Sequence, residues 1–153
     1  MQQRQNSNPS STTKVHLTDG LPELIPLLKQ NIDLNLGDDP EQSVFIEADL
    51  LSWGEPVNLT PPQVILAADC AYLEESFPLL TRTLQSLMGD DTVLWFCYKK
   101  RRKRDKDCIK MIAKVCNVRR VDGSWEASGV FLFEVKRKPS ATPQPQALKL
   151  AST

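Results

Sequence analysis

Glycine is scarce in this 153-residue chain and never clustered. The six glycines stand at 20, 37, 54, 89, 123 and 129. No two are close enough for a Gly-x-Gly or Gly-x-Gly-x-x-Gly loop, and no Walker lysine motif occurs, so the usual phosphate-cradling signatures are missing. There is no Gly-x-Ser-x-Gly elbow and no His-Glu-x-x-His pair. His16 is the single histidine. It falls in a short strand, where a structural role is the default, so neither His-based catalysis nor a zinc site is expected and no metal is assigned. The four cysteines (70, 97, 108, 116) form no Cys-x-x-Cys pair. They read as reduced core thiols, which fits a cytoplasmic protein. No apolar run approaches the roughly 20 residues needed to span a bilayer. Met1 to Thr13 has no apolar stretch of the secretory kind. A membrane partner is therefore not expected.

What is present is ordinary in bulk. Hydrophobic residues make up 41% and charged residues 25%, enough for one domain with a core, taken as a monomer. The net charge of zero hides a split. Residues 99–120 hold eleven Lys/Arg against two Asp, so the rest of the chain is acidic by the same amount. The chain thus has a basic face on an acidic body.

Periodicity gives the organisation. Residues 1–13 are polar and expected to be disordered, as is the tail over 138–153. Between them, 14–137 reads as one domain. Lys14 to Thr18 is a short strand closed by Asp19-Gly20. Leu21, Leu24, Ile25, Leu28 and Ile32 recur at helical spacing, with Pro26 tolerable only in the first turn. A polar turn covers Gly37 to Gln42, and Val44 to Ala48 is a second strand. Val64 to Ala68 is a third, apolar on both faces as for a strand covered from both sides. Glu75 or Ser76 is placed to cap the next helix, whose stripe is Phe77, Leu80, Leu84 and Leu87. Thr92 to Tyr98 is a fourth strand, and a helix follows near Asp105 to Cys116. Val118 to Val121 and Gly129 to Lys136 close the domain as two strands joined by a turn at Asp122-Gly123. The alternation of strand and helix predicts an α/β, doubly wound sheet.

Four positions could carry chemistry. Asp19 leaves a strand before a helix, where a carboxylate can take the two ribose hydroxyls of a nucleotide; Asp-Gly is equally a common turn pair. Trp53 follows the second strand and could stack on a purine or simply pack. Asp69 and Tyr72 are spaced Asp-x-x-Tyr at the carboxyl end of an apolar strand, the end where open α/β sheets bind ligands. A charge leaving an apolar strand there needs a task or a partner; a helix cap or a salt bridge would also serve. Lys99 to Arg104 (KKRRKR) is a basic run on the same edge, either a solvated loop or a surface for an acidic protein. It contains no aromatic residue, so nucleic acid is not the expected partner.

Taken in order, KVHLTD, NIDLN, DLLSWG, VILAADCAYLEESFPLL and TVLWFCYKKRRKRDKD resemble the family 16 protein-lysine methyltransferases, of the seven-β-strand, S-adenosylmethionine-dependent class. The likeness covers roughly 14–137 and leans toward the fungal branch that methylates translation elongation factor 1-alpha. It implies a Rossmann-like sheet of the class I methyltransferase type and a protein substrate with an acceptor lysine. Asp19 would bind the cofactor ribose, Trp53 would lie against the adenine, and Ala68 would touch the cofactor through its backbone. Asp69 and Tyr72 would line the acceptor channel. The family's first strand, with its Gly-x-Gly loop, has no counterpart in the 153 residues. The sheet is therefore expected to lack that strand, to leave facing ladders unpaired, and to bind cofactor weakly. Two other functions are compatible with the residues: a non-catalytic module binding through the basic 99–120 face, or a methyltransferase acting on RNA or a small molecule.

Overall fold

The computed structural model describes residues 13–36 and 44–139. The expected disorder of the first residues and of the tail, and the turn at Gly37 to Gln42, lie outside them. The chain divides into two compact units, Met1–Glu55 and Pro56–Thr153.

The first unit is built on two parallel strands. β1 (Thr13–Asp19) and β2 (Val44–Leu50) run in register from Thr13 opposite Val44 to Asp19 opposite Leu50. A parallel pair needs a crossover, supplied here by a 3₁₀ turn (Pro22–Leu24) that runs into α1 (Ile25–Leu36). Pro26 sits in the first turn of α1, the position where its missing N–H costs nothing. The helical periodicity is thus realised, but α1 contains no fully buried residue.

The second unit holds the core. Its strands are β3 (Val64–Ala68), β4 (Val93–Lys99), β5 (Cys116–Val121) and β6 (Val130–Arg137), in spatial order β3-β4-β6-β5. β3 and β4 are parallel; β6 runs antiparallel to both β4 and β5. Two helices, α2 (Phe77–Leu87) and α3 (Asp105–Val115), make the crossovers. The α2 stripe packs as its spacing predicts, with Phe77, Leu80, Leu84 and Leu87 all buried. On α3, Ile109 and Ile112 are buried too; Cys116, expected at the end of that helix, is instead buried as the first residue of β5. From β4 and β6, Leu94, Phe96 and Val135 complete the core at 0% exposure.

Three local features differ from the sequence reading. Ser76 occupies the N-cap position of α2 but makes no side-chain cap hydrogen bond: Glu74–Ser76 is a 3₁₀ turn, and the Ser76 hydroxyl donates backward to the Leu73 carbonyl at 2.7 Å. A second 3₁₀ segment, Ser124–Ser128, lengthens the connection between β5 and β6, and Gly129 ends it at φ 75°. The third concerns β3, which buries one face only. Ala67 is buried, while Val64 and Leu66 are 53% and 78% exposed. Among the described residues the strands form two separate sheets, in which β1 pairs only with β2, and β3 only with β4.

Candidate functional site

Within the first unit, the carboxyl ends of β1 and β2 lie side by side. The Leu51 N–H donates to the Asp19 carbonyl at 2.8 Å, one residue past the last ladder pair. This holds Asp19 next to the turn that carries Trp53, whose ring is half-buried. One Asp19 carboxylate oxygen accepts the Leu21 N–H at 2.9 Å, an Asx turn. The turn role is therefore realised, and a carboxylate so fixed is also aimed beyond the strand end.

The same unit gathers charge elsewhere. His16 lies opposite Glu47 in the ladder, and Asp49 is two residues on, so all three share one face. The His16 Nδ1 is 2.5 Å from Asp49, and Lys14 pairs with Glu47 at 2.9 Å. Their ligand atoms lie within 4.8 Å of one another, a spacing that could hold a metal. The lysine and the imidazole already supply partners to both carboxylates. An open depression of about 470 Å³ between α1 and β2 is lined by Lys29, Asp33, Ile46 and Glu47 among others, and neither Asp19 nor Trp53 is among its walls.

Within the second unit, β3 delivers Ala68, Asp69 and Tyr72 to its carboxyl end. Asp69 extends the ladder by donating its N–H to the Cys97 carbonyl at 2.8 Å. Its φ is then 59°, the only positive value at a non-glycine among the described residues. Aspartate tolerates the left-handed region better than most side chains, yet strain of this kind gathers at functional sites. It turns the carboxylate outward: Asp69 is half exposed, and Tyr72 is 52% exposed.

The partner of Asp69 is Arg101. The two Arg101 terminal nitrogens donate to the two carboxylate oxygens at 2.6 and 2.5 Å, a bidentate fork. This hydrogen-bonded guanidinium holds the Asp69 carboxyl below the ordinary carboxylate range. The next residues in the basic run are also engaged: Arg102 donates to the Tyr72 carbonyl at 3.2 Å, and Arg104 pairs with Glu74 at 2.7 Å. Three arginines thus tie the loop after β4 to the loop after β3. Beneath them Asp105, only 3% exposed, accepts the backbone N–H groups of Arg101 and Arg102, both at 2.7 Å. At the first turn of α3 its charge also meets the positive end of the helix dipole.

Arg101 and Asp105 escaped the sequence reading, which left the basic run as either a solvated loop or a surface for an acidic protein. The available signal was topological. β3 and β4 are parallel neighbours, with Ala68 opposite Cys97, so their end loops share an edge and an acid on one faces bases on the other.

The four cysteines are all free, as expected. Burial pushes the Cys108 thiol up to about 12 and raises those of Cys70 and Cys116. No helix among the described residues is long and apolar enough to cross a membrane.

Comparison with known proteins gives these features a context. A family model described as lysine methyltransferase matches residues 5–115. The chain is 42% identical over 115 residues to protein-lysine N-methyltransferase EFM6 of Saccharomyces cerevisiae, covering 67% of this chain and 44% of that protein. It is 34% identical over 110 residues to protein N-lysine methyltransferase METTL21A of Danio rerio, covering 70% and 49%. It is 33% identical over 91 residues to EEF1A lysine methyltransferase 3 of Xenopus tropicalis, covering 58% and 38%. The chain therefore spans about half the length, or less, of these relatives. Among solved structures, a TehB-like SAM-dependent methyltransferase from Corynebacterium glutamicum superposes with a TM-score of 0.62 at 12% identity, covering 86% of this chain and 83% of that one. N-methyltransferase NodS of Bradyrhizobium japonicum, in complex with S-adenosylhomocysteine, gives 0.58 at 11% identity, with 82% and 67% covered. These likenesses identify the fold as that of class I methyltransferases.

Proposed function

The chain belongs to the lysine methyltransferase family, and from that premise we propose that it carries the acceptor side of a protein-lysine N-methyltransferase. The observation that carries the reading is Asp69. A strained, outward-turned carboxylate stands three residues from an exposed tyrosine, at the ligand-binding edge of a parallel strand. The substrate is a protein with an acceptor lysine. A translation elongation factor is the first candidate, since one relative bears that substrate in its name. The cytoplasm, with its reducing poise, suits four free cysteines, and the protein is taken to act as a monomer.

S-adenosylmethionine, when bound, supplies an electrophilic methyl group on a sulfonium. The residues present suit part of that molecule. Asp19, fixed beyond the end of β1, would accept hydrogen bonds from the ribose hydroxyls, and Trp53 would cover the adenine. Ala68, at the end of β3, would contact the cofactor through its backbone. No Gly-x-Gly is present among the 153 residues to receive the amino-acid portion, so the affinity of this chain for cofactor is weak.

The remaining work is alignment. Asp69 receives the lysine as its ammonium; once that nitrogen has lost a proton to solvent, the carboxylate accepts a hydrogen bond from the neutral amine and fixes the direction of its lone pair. Its lowered pKa keeps it ionised, so it orients and holds an amine proton rather than supplying a strong base. Tyr72 gives an aromatic wall, suited to the methylated ammonium that results.

The test is labelling of a cell extract with tritiated cofactor at saturating concentration. Label should enter protein, be removed by protease, survive nuclease, and sit on lysine. Label lost to nuclease, or recovered in a small molecule, would replace the protein substrate by the other class.

A further inference from the structure

We propose that Arg101 occupies the acceptor seat on Asp69, so that a substrate lysine docks only by displacing it. The inference rests on the assignment of Asp69 as the acceptor-orienting carboxylate.

Both Asp69 oxygens are engaged by the Arg101 fork, at 2.6 and 2.5 Å. A lysine nitrogen seeking the same carboxylate meets a cation already there. Guanidinium and ammonium carry the same charge and both only donate, so one can stand in for the other. The exchange is neutral in charge: one cation leaves the carboxylate as another arrives. An uncharged polar side chain has no such means of evicting an arginine. Arg101 therefore selects for lysine as well as guarding the site.

The anchoring of Arg101 is divided in a way that suits exchange. Its backbone N–H is held by Asp105, which is buried, and the Arg102 N–H shares that oxygen. The Arg101 and Asp69 side chains are 51% and 49% exposed. Solvent screening of a half-exposed pair offsets part of the strength of the fork, so the head can be released while its base stays fixed. The neighbouring stitches, Arg102 to the Tyr72 carbonyl and Arg104 to Glu74, do not involve the Asp69 carboxylate. They keep the two loops together when Arg101 swings away.

The experiment is a direct binding titration that needs no methyl transfer. Nα-acetyl-lysine methylamide is titrated into the protein at low salt, following the Asp69 side-chain carboxyl by ¹³C NMR. Arg101→Gln should bind the probe roughly threefold to fivefold more tightly than the original chain. Arg101→Lys, which keeps the charge but not the fork, should fall between. Adding Asp69→Asn to Arg101→Gln, read at the side-chain amide carbon that replaces the carboxyl, should abolish the gain. Slow amide exchange at residues 101 and 102 in each variant reports that the Asp105 anchor is intact; should Arg101→Gln lose it, Arg101→Lys decides by the same criterion. Unchanged or weaker probe binding by anchored variants overturns the proposal, since Arg101 would then be support for the loop and not an occupant. The two readings fail separately. Absent methyl transfer with tightened probe binding would sink the enzymatic reading alone. Transfer to lysine with no change in probe binding would sink only the role of Arg101.

Discussion

The two units of this chain divide the labour of folding unequally. Every fully buried hydrophobic residue among the described ones lies between Ala67 and Val135, in the unit that begins at Pro56. The unit ending at Glu55 contributes none, and shows Leu34 at 74% exposure, Leu50 at 53%, and Leu21 and Phe45 at 52%. A two-stranded ribbon with one helix has too little interior to stand on its own hydrophobic burial. The candidate site residues fall on both units: Asp19 and Trp53 on the thin one, Asp69, Tyr72 and Arg101 on the packed one. Correct local structure and stability are separable properties here, and a candidate site residue can sit on an element that adds little to the core.

One side-chain truncation in each unit would break this contrast most forcefully. Phe96→Ala, at a site with 0% exposure, should cost about 3–5 kcal/mol in urea unfolding. Leu34→Ala should stay within about 0.5 kcal/mol. Equal costs would mean that α1 has a packed face after all.

Alkaline pH sharpens the comparison, because all four cysteines lie in the packed unit. The Cys108 thiol is raised from 9.0 to about 12 by burial, so the unfolded chain loses its proton first as pH rises. Between those values the folded state binds more protons than the unfolded, and stability falls with increasing pH. The share from Cys108 should approach roughly 2–4 kcal/mol near the upper end. Cys108→Ala should flatten that part of the pH–stability profile; an unchanged slope would assign the effect to other groups.

A smaller effect is expected at Asp69. Asp69→Ala should destabilise by about 1–2 kcal/mol, as alanine dislikes φ 59°. Asp69→Asn, which tolerates that conformation, should lie within about 0.5 kcal/mol of the original. Equal melting of the two variants would show that the backbone at Asp69 relaxes.

Much of this architecture is written in local periodicity. The VILAA run marks β3 to the residue, and the Phe77, Leu80, Leu84, Leu87 spacing marks the buried side of α2. Both signals arise from neighbours a turn or a pleat apart. What periodicity does not encode is which face finds a cover: β3 is apolar on both sides, but Ala67 is buried while Leu66 is 78% exposed. The Asp-x-x-Tyr pair is visible because its members are close in sequence. The fork from Arg101 to Asp69 spans 32 residues, and only the parallel pairing of β3 with β4 brings its ends to one edge. The Ser76 hydroxyl shows the converse limit, since a good capping residue instead bonded backward to Leu73 within its 3₁₀ turn.

The most direct measurement is methyl transfer to a purified elongation factor at saturating S-adenosylmethionine, with methyl-lysine read by mass spectrometry, for the chain and for Asp69→Asn. A slow but definite signal from the original chain, lost in a variant that melts at the same temperature, is the expected result. Absence of methyl-lysine from the original chain, or an equal yield from Asp69→Asn, would contradict the account.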